Sequence, residues 1–365
     1  MDNNTHLQPI SLPPTYGMEG SITEDPEEPD RFEGMVDTHA QDARDVHAHV
    51  PVGGISKIPS YLYAIEWWGN NRTDKTGHVK IPIFQDIDTR AETLHYDNKT
   101  CCANTGVHVT IGAEDLNTAA FLMDSLMSLS PLLTTLSASS PVHGGFLTAW
   151  DSRLKIWIQG LNDNTPEERE TDPNKPGRWF QRREYLGLHE NFKDPSLNDV
   201  EGHTIRDRYL QPLLDAGLPE GMARFFAMMC TIDVSKMRKG WNGSDVNDLE
   251  CFEAAAFSQC PSIRLKNPDK NLKLWRVEVR ALEPQLKHED NAYFISFVQL
   301  LAHLIRDGKL NTAIPISKYL ENHNRSHETD AATKQKFFWN LPELGEYSMH
   351  EIMKDIESRA EYILN

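Results

Sequence analysis

The sequence predicts an α+β fold built around a mainly antiparallel sheet. Short runs at the two-residue strand period, of which "TGVHVTIG" (Thr105–Gly112) is the clearest, are bounded by turn residues. Long excursions join these runs, and helical segments gather between them instead of alternating with them.

Residues 1 to about 55 are polar, rich in Pro and His and without a sustained period, so loops and partial disorder are expected there. The remainder, 56–365, reads as a single domain. "HVKIPIFQDI" (His78–Ile87) predicts a strand that Pro82 confines to an edge or a bulge. After Thr105–Gly112, the spacing of Leu116, Ala120, Leu122, Leu126, Leu129 and Leu133 predicts a helix, with Pro131 as its kink. "PVHGGF" reads as a turn, "LKIWIQG" (Leu154–Gly160) as a strand, and Leu161–Arg178 as a long polar loop dense in Pro and charge. Helices are expected over Thr204–Leu214 and Pro219–Cys230. "AYFISFVQLLAHLIRDG", apolar nearly all round, predicts a buried helix ended by Gly308, with further helices at "IPISKYLENH" and Ser348–Leu364.

The 365 residues are 39% hydrophobic and 25% charged, an ordinary globular composition with ample length for a core. Acidic residues (54) outnumber basic ones (37), leaving −17, part of it concentrated in "TEDPEEPDRFE" (Thr23–Glu33). That balance disfavours nucleic acid and anionic membrane as partners. No apolar run reaches the ~20 residues of a membrane span, and "MDNNTHLQPI" lacks the regions of a signal peptide. The five cysteines form no CxxC pair and read as reduced thiols, which places the chain in the cytoplasm.

The stretch that carries function is "LKLWRVEVRALEPQL" (Leu272–Leu286). At strand period, Arg276, Glu278 and Arg280 share one face, with Val277, Val279 and Ala281 on the other. Such a row is often a solvated cross-strand ladder worth a few tenths of a kcal/mol per pair. The apolar helix that follows argues instead for a central strand, whose charged face lines a cavity. His108 alternates with Val107 and Val109 in the same way. A lone strand histidine is usually structural, and Glu19 in "YGMEGSI" means little alone.

Together with "GVHVTIG", "LSPLLTTLSASSP", "LNDNTPEER", "PSIRLKNP" and "IPISKYLEN", the run "WRVEVRALEPQL…EDNAY" resembles the catalytic subunit of eukaryotic glutamate–cysteine ligase, in that family's order and approximate spacing over roughly Ile81 to Leu320. The resemblance implies a curved, mainly antiparallel sheet forming a funnel, as in glutamine synthetase. It also implies a reaction in which ATP, with Mg²⁺, phosphorylates a carboxylate that an amine then attacks. On this resemblance Glu278 and Glu19 match family metal ligands, and His108 stands where the family carries a glutamine near a metal, as a replacement metal ligand. Arg280 meets the transferring phosphoryl, and Arg264 and Arg178 fall near nucleotide and substrate. The partners implied are small amino-acid substrates, with either a second copy or a ligase-type partner subunit.

The departures are specific. The early strand with two metal-binding glutamates is absent, and Thr15 stands where another family glutamate is expected. Gly144 and Asn340 replace family arginines, and Cys260 and Pro261 replace an aromatic and an amide. Three readings follow: an ATP-dependent carboxylate–amine ligase with altered substrates, a rewired enzyme (a cyclase or lyase) that does not use ATP in this way, and a non-catalytic partner of a full-length ligase.

Overall fold

A computed structural model of the chain describes residues 79–84, 90–96, 106–143, 146–160, 164, 166–177, 180–231, 261–268, 273–285 and 287–364. The elements before the core are β1 (Val79–Phe84) and β2 (Arg90–Tyr96), an antiparallel pair whose register shifts between Ile83 and Phe84, beside Pro82. Proline cannot donate to a ladder, and the irregularity falls where the sequence predicted an edge or bulge.

The centre is a three-stranded antiparallel sheet in the order β3–β7–β6: β3 is Val107–Ala113, β6 Ile263–Lys266 and β7 Trp275–Leu282. The charged strand β7 is therefore the middle one. Val277 and Val279 are fully buried and join the main hydrophobic core with Val109, Ile111, Ile263 and Leu265.

Against β7 and β6 packs α1 (Leu116–Ser137). Asp115 caps it by accepting from the Thr118 amide at 2.8 Å, which satisfies one of the first-turn donors. Its Leu and Met side chains fill the core, and its buried hydroxyls are used locally: Thr134, Thr135 and Ser137 each donate to the carbonyl four residues back. The helix runs on through Pro131. Proline supplies no N–H to the Met127 carbonyl, and the Ser130 hydroxyl donates to it instead at 2.8 Å. This helix is long and apolar enough to cross a membrane, yet 94% of its most apolar window is buried inside the fold.

The segment "PVHGGF" contains β4 (Val142–His143) and runs into β5 (Phe146–Leu147), and the two strands pair antiparallel. Leu154–Gly160 is a helix, α2, not a strand. A seven-residue apolar run fits either period, and here Leu154 and Ile158 share a face against the core while the Ser152 hydroxyl accepts from the Leu154 amide at 3.2 Å. The expected loop Leu161–Arg178 contains a short helix, α3 (Pro166–Thr171), opened by proline with Glu167 and Glu168 in its first turn.

Helices α4 (Asp207–Asp215) and α5 (Glu220–Thr231) pack on one another. Beyond β7, α6 (His288–Arg306) ends at Gly308, whose φ of +66° suits glycine and lets the chain turn out of the helix. The expectation that α6 is buried all round is corrected. Val298, Leu301, Ala302, Leu304 and Ile305 face the core, whereas Tyr293 is 71% exposed. The helix is amphipathic, and its bulky apolar residues outnumber those its inner face can take. The chain then forms α7 (Ile316–Arg325), α8 (Ala331–Lys334), the antiparallel pair β8 (Lys336–Asn340) and β9 (Leu344–Ser348), and α9 (Met349–Leu364). Asn322 of α7 ties the helix to β8 by exchanging two hydrogen bonds with the Phe338 backbone. These elements make an α+β fold, with every described strand pairing antiparallel.

Candidate functional site

The face of β7 opposite the core collects polar and charged side chains from all three central strands. Ladder register sets Arg264 directly opposite Glu278 on one side and Thr110 opposite Glu278 on the other. Lys266 and Gly112 lie opposite Arg276 in the same way. At the far end the β3–β7 register slips between Val107 and Val109, where β7 carries the extra residue. A bulge of this kind re-aims side chains, and it falls beside His108 on β3 and Arg280 on β7.

Glu278 is the hub. Its Oε1 lies 2.6 Å from Lys266 Nζ and 3.8 Å from His108 Nδ1. Its Oε2 lies 3.3 Å from Arg280 Nη1 and 3.9 Å from Arg264 Nη1. Burial by itself would raise the Glu278 pKa, but Arg280, His108, Lys266 and Arg264 together outweigh it and hold the carboxyl well below its ordinary range. Burial pulls the Lys266 pKa down, with Glu278 opposing that shift and Arg264 and Arg280 adding to it.

His108, Arg264, Glu278 and Arg280 are all buried, while the Lys266 side chain keeps 27% of its exposure. Lys266 is thus the member of the group nearest to solvent. Arg276 lies further along the same face and donates to the Asn267 carbonyl at 2.7 Å. The Thr110 Oγ1, opposite Glu278, is buried without a hydrogen-bond partner. Among the described residues, four basic side chains (Arg264, Lys266, Arg276, Arg280) share this face with the Glu278 carboxylate, in a chain whose net charge is −17. Planar guanidinium forks and an ammonium gathered on one sheltered face are suited to a phosphate or carboxylate group.

Of the residues singled out from the sequence, the structure brings His108, Arg264, Glu278 and Arg280 together. Arg178 and Glu19 lie outside the described residues, as do Thr15, Gly144 and Cys260. Asn340, at a position where the resemblance expects an arginine, spends its amide on the Ala313 carbonyl at 2.8 Å. Lys266 and Thr110 were missed. The signal was present for Lys266, which follows Arg264 by two residues in "IRLK" and so shares its face.

A family model described as Glutamate-cysteine ligase matches residues 100–360, the greater part of the chain. The chain belongs to the glutamate–cysteine ligase family. Among its relatives are the glutamate–cysteine ligase catalytic subunits of Rattus norvegicus, 28% identical over 285 residues (72% of this chain, 45% of the relative), and of Homo sapiens, 27% identical over 313 residues (79% and 49%). The glutamate–cysteine ligase of Neurospora crassa is 26% identical over 296 residues (78% and 39%). The chain thus spans less than half the length of each of these family members. The β3, β6 and β7 face lies wholly within the matched region.

The glutamate–cysteine ligase resemblance carries Mg²⁺ with it, and the described residues of this face do not fit that ion. Both Glu278 oxygens are taken up by cationic side chains. Among the described residues no group of three or more His, Cys, Asp or Glu side chains could hold a metal.

Proposed function

We propose that this chain forms an amide bond between an amino-acid carboxylate and an amine through an ATP-dependent acyl phosphate, as a glutamate–cysteine ligase-type enzyme on a funnel-like antiparallel sheet. The observation that carries the reading is the convergence of Arg264, Lys266 and Arg280 on Glu278, on a sheltered face of the central strand. Family membership supplies the reaction class.

In the first half-reaction a substrate carboxylate oxygen attacks the γ-phosphorus of ATP, and the bond to the ADP oxygen breaks. Arg280 and Arg264 donate to the equatorial phosphoryl oxygens, where charge is concentrated in transfer. Glu278 accepts no substrate proton in this scheme. It sits in the ring of cations and orients Arg264 and Arg280, so these two guanidiniums need little reorganisation when the anion arrives. In the second half-reaction the amine adds to the acyl carbon, phosphate leaves with the bonding pair, and the amine gives up a proton to solvent or phosphate. No step is routed through a metal ion. Arg178 and Glu19 join the proposed site on the resemblance alone. Glutamate and cysteine are the first acid and amine to try, the cytoplasm is the proposed place of action, and a second copy or a ligase-type subunit is the proposed partner.

A second reading, a rewired enzyme that does not spend ATP, is favoured by one contact, Lys266 on Glu278, because a lysine there answers the charge that a nucleotide-bound ion otherwise would. Thermal unfolding with and without millimolar Mg²⁺–ATP separates the two, since a ligand that binds only the folded chain raises its melting temperature. A shift of several degrees, together with phosphate release dependent on acid and amine, supports the ligase. No shift and no release would sink it.

A further inference from the structure

Glu278 is the acid on this face that the resemblance matches to a metal ligand, and its surroundings point elsewhere. A carboxylate offers two oxygens. One meets Lys266 Nζ at 2.6 Å, with His108 Nδ1 at 3.8 Å; the other meets Arg280 at 3.3 Å and Arg264 at 3.9 Å. A divalent ion needs oxygen ligands at about 2.0–2.6 Å and, for Mg²⁺, a nearly octahedral set of them. To reach Glu278 it would have to displace the ammonium and settle beside two guanidinium groups.

We infer that Lys266 supplies, as an ammonium tethered to the chain, the positive charge beside Glu278, so that this carboxylate binds no divalent ion while Lys266 is present and the face receives an oxyanion directly. The ligand class is a phosphate or carboxylate group, met by Arg264, Lys266 and Arg280, with the buried Thr110 hydroxyl, which has no hydrogen-bond partner, as a further donor. Lys266 is the member suited to this role because it is partly exposed. Its flexible stem lets the ammonium swing from Glu278 to an incoming anion without unfolding the strand.

The inference rests on reading this strand face as the site, but not on ATP use. The test is Mn²⁺ binding to the full chain, followed by the paramagnetic resonance of the free ion, for the unaltered protein, Glu278→Gln, Lys266→Met and the double variant. Expected is equal Mn²⁺ binding by the unaltered protein and Glu278→Gln. Lys266→Met should bind Mn²⁺ at least about tenfold more tightly, because one repelling unit charge has left the carboxylate, and the double variant should lose that gain. A Glu278→Gln protein that binds Mn²⁺ tenfold more weakly than the unaltered one would overturn the inference, as would a Lys266→Met protein with unchanged affinity.

A second titration uses inorganic pyrophosphate with a chelator present. Metal-free binding that Lys266→Met weakens about tenfold supports direct anion capture, and binding that requires added metal refutes it. Neither titration contains nucleotide, so a failed ATP experiment and a failed metal experiment can be told apart.

Discussion

Arg264 and Glu278 stand directly opposite one another on neighbouring strands, both side chains buried, with Nη1 3.9 Å from Oε2. On a solvated sheet such a pair would be a minor ladder contact. Here it is one spoke of a largely buried ring in which Glu278 meets Arg264, Lys266, Arg280 and the His108 imidazole.

Removing the hub should therefore cost more than removing a spoke. Glu278→Ala leaves Arg264 and Arg280 facing one another across a hollow, and a loss of about 3–5 kcal/mol is expected, as for other broken buried ion pairs. Urea unfolding would measure it, and a loss under ~1 kcal/mol would show that water reaches these guanidiniums freely.

Arg280→Lys keeps the charge and removes the fork. Under the ligase reading, amide formation should fall about 10²–10³-fold in kcat/KM while the urea midpoint moves little. Steady-state phosphate release checks this. Equal activity of the two proteins would mean that Arg280 gives no oriented donor to the reacting group.

Gly106 tests a second buried ion pair. Glu283, fully buried, accepts from the Ser140 hydroxyl and from the Arg153 amide at 3.0 Å, and lies 3.7 Å from Arg153 Nε. A Cβ on Gly106 would come within 1.9 Å of Arg153 Nη2, so Gly106→Ala must push that guanidinium from its seat. Destabilisation of about 2–4 kcal/mol is expected, much of it shared with Arg153→Met, because both changes disturb the same pair. Fully additive losses in a double-mutant cycle would show that the alanine is accommodated elsewhere.

The buried histidines of α7 and its exit set a pH dependence. His323 and His327 lie with their Nε2 atoms 3.2 Å apart, and His327 Nδ1 is 2.9 Å from the Ser152 hydroxyl. Burial pulls the His323 pKa down to about 3, aided by Lys155. Burial also pulls His327 well below its usual value, aided by His323 and Lys155. A depressed folded pKa means that the unfolded chain binds protons first. Stability is then fully present above about pH 6.5 and declines as pH falls toward 3, by at most ~1.4 kcal/mol per pH unit for each histidine. His323→Gln keeps a hydrogen-bonding group beside His327 and should flatten the decline between pH 6.5 and 5. An unchanged slope in chemical unfolding at those two values would count against the pair.

Much of this was legible beforehand because side-chain alternation in a strand is a property of the backbone. "WRVEVR" placed Arg276, Glu278 and Arg280 on one face whatever the rest of the chain did, and the apolar helix after it argued that the strand was central, as it is. The helix of Leu116–Ser137 and the stop at Gly308 were legible for similar local reasons, a sustained period and a residue that tolerates positive φ. Leu154–Gly160 was misread because seven residues with two bulky apolar pairs satisfy both periods. A serine two residues ahead of its first helical amide, and a core that takes Leu154 and Ile158 together, decided for the helix.

The sequence by itself determined that a row of mixed charge had to share one side of one strand, since the peptide backbone permits no other arrangement of alternate residues. Only the tertiary structure decided what that row would meet. Ladder register brought Arg264, Lys266 and Thr110 beside Glu278 from segments far apart in the chain, and the same β3–β7 pairing, ending in a one-residue bulge, brought His108 close to it as well. Register and bulge depend on how strands dock over a common core, and the spacing within any one of them does not contain that information.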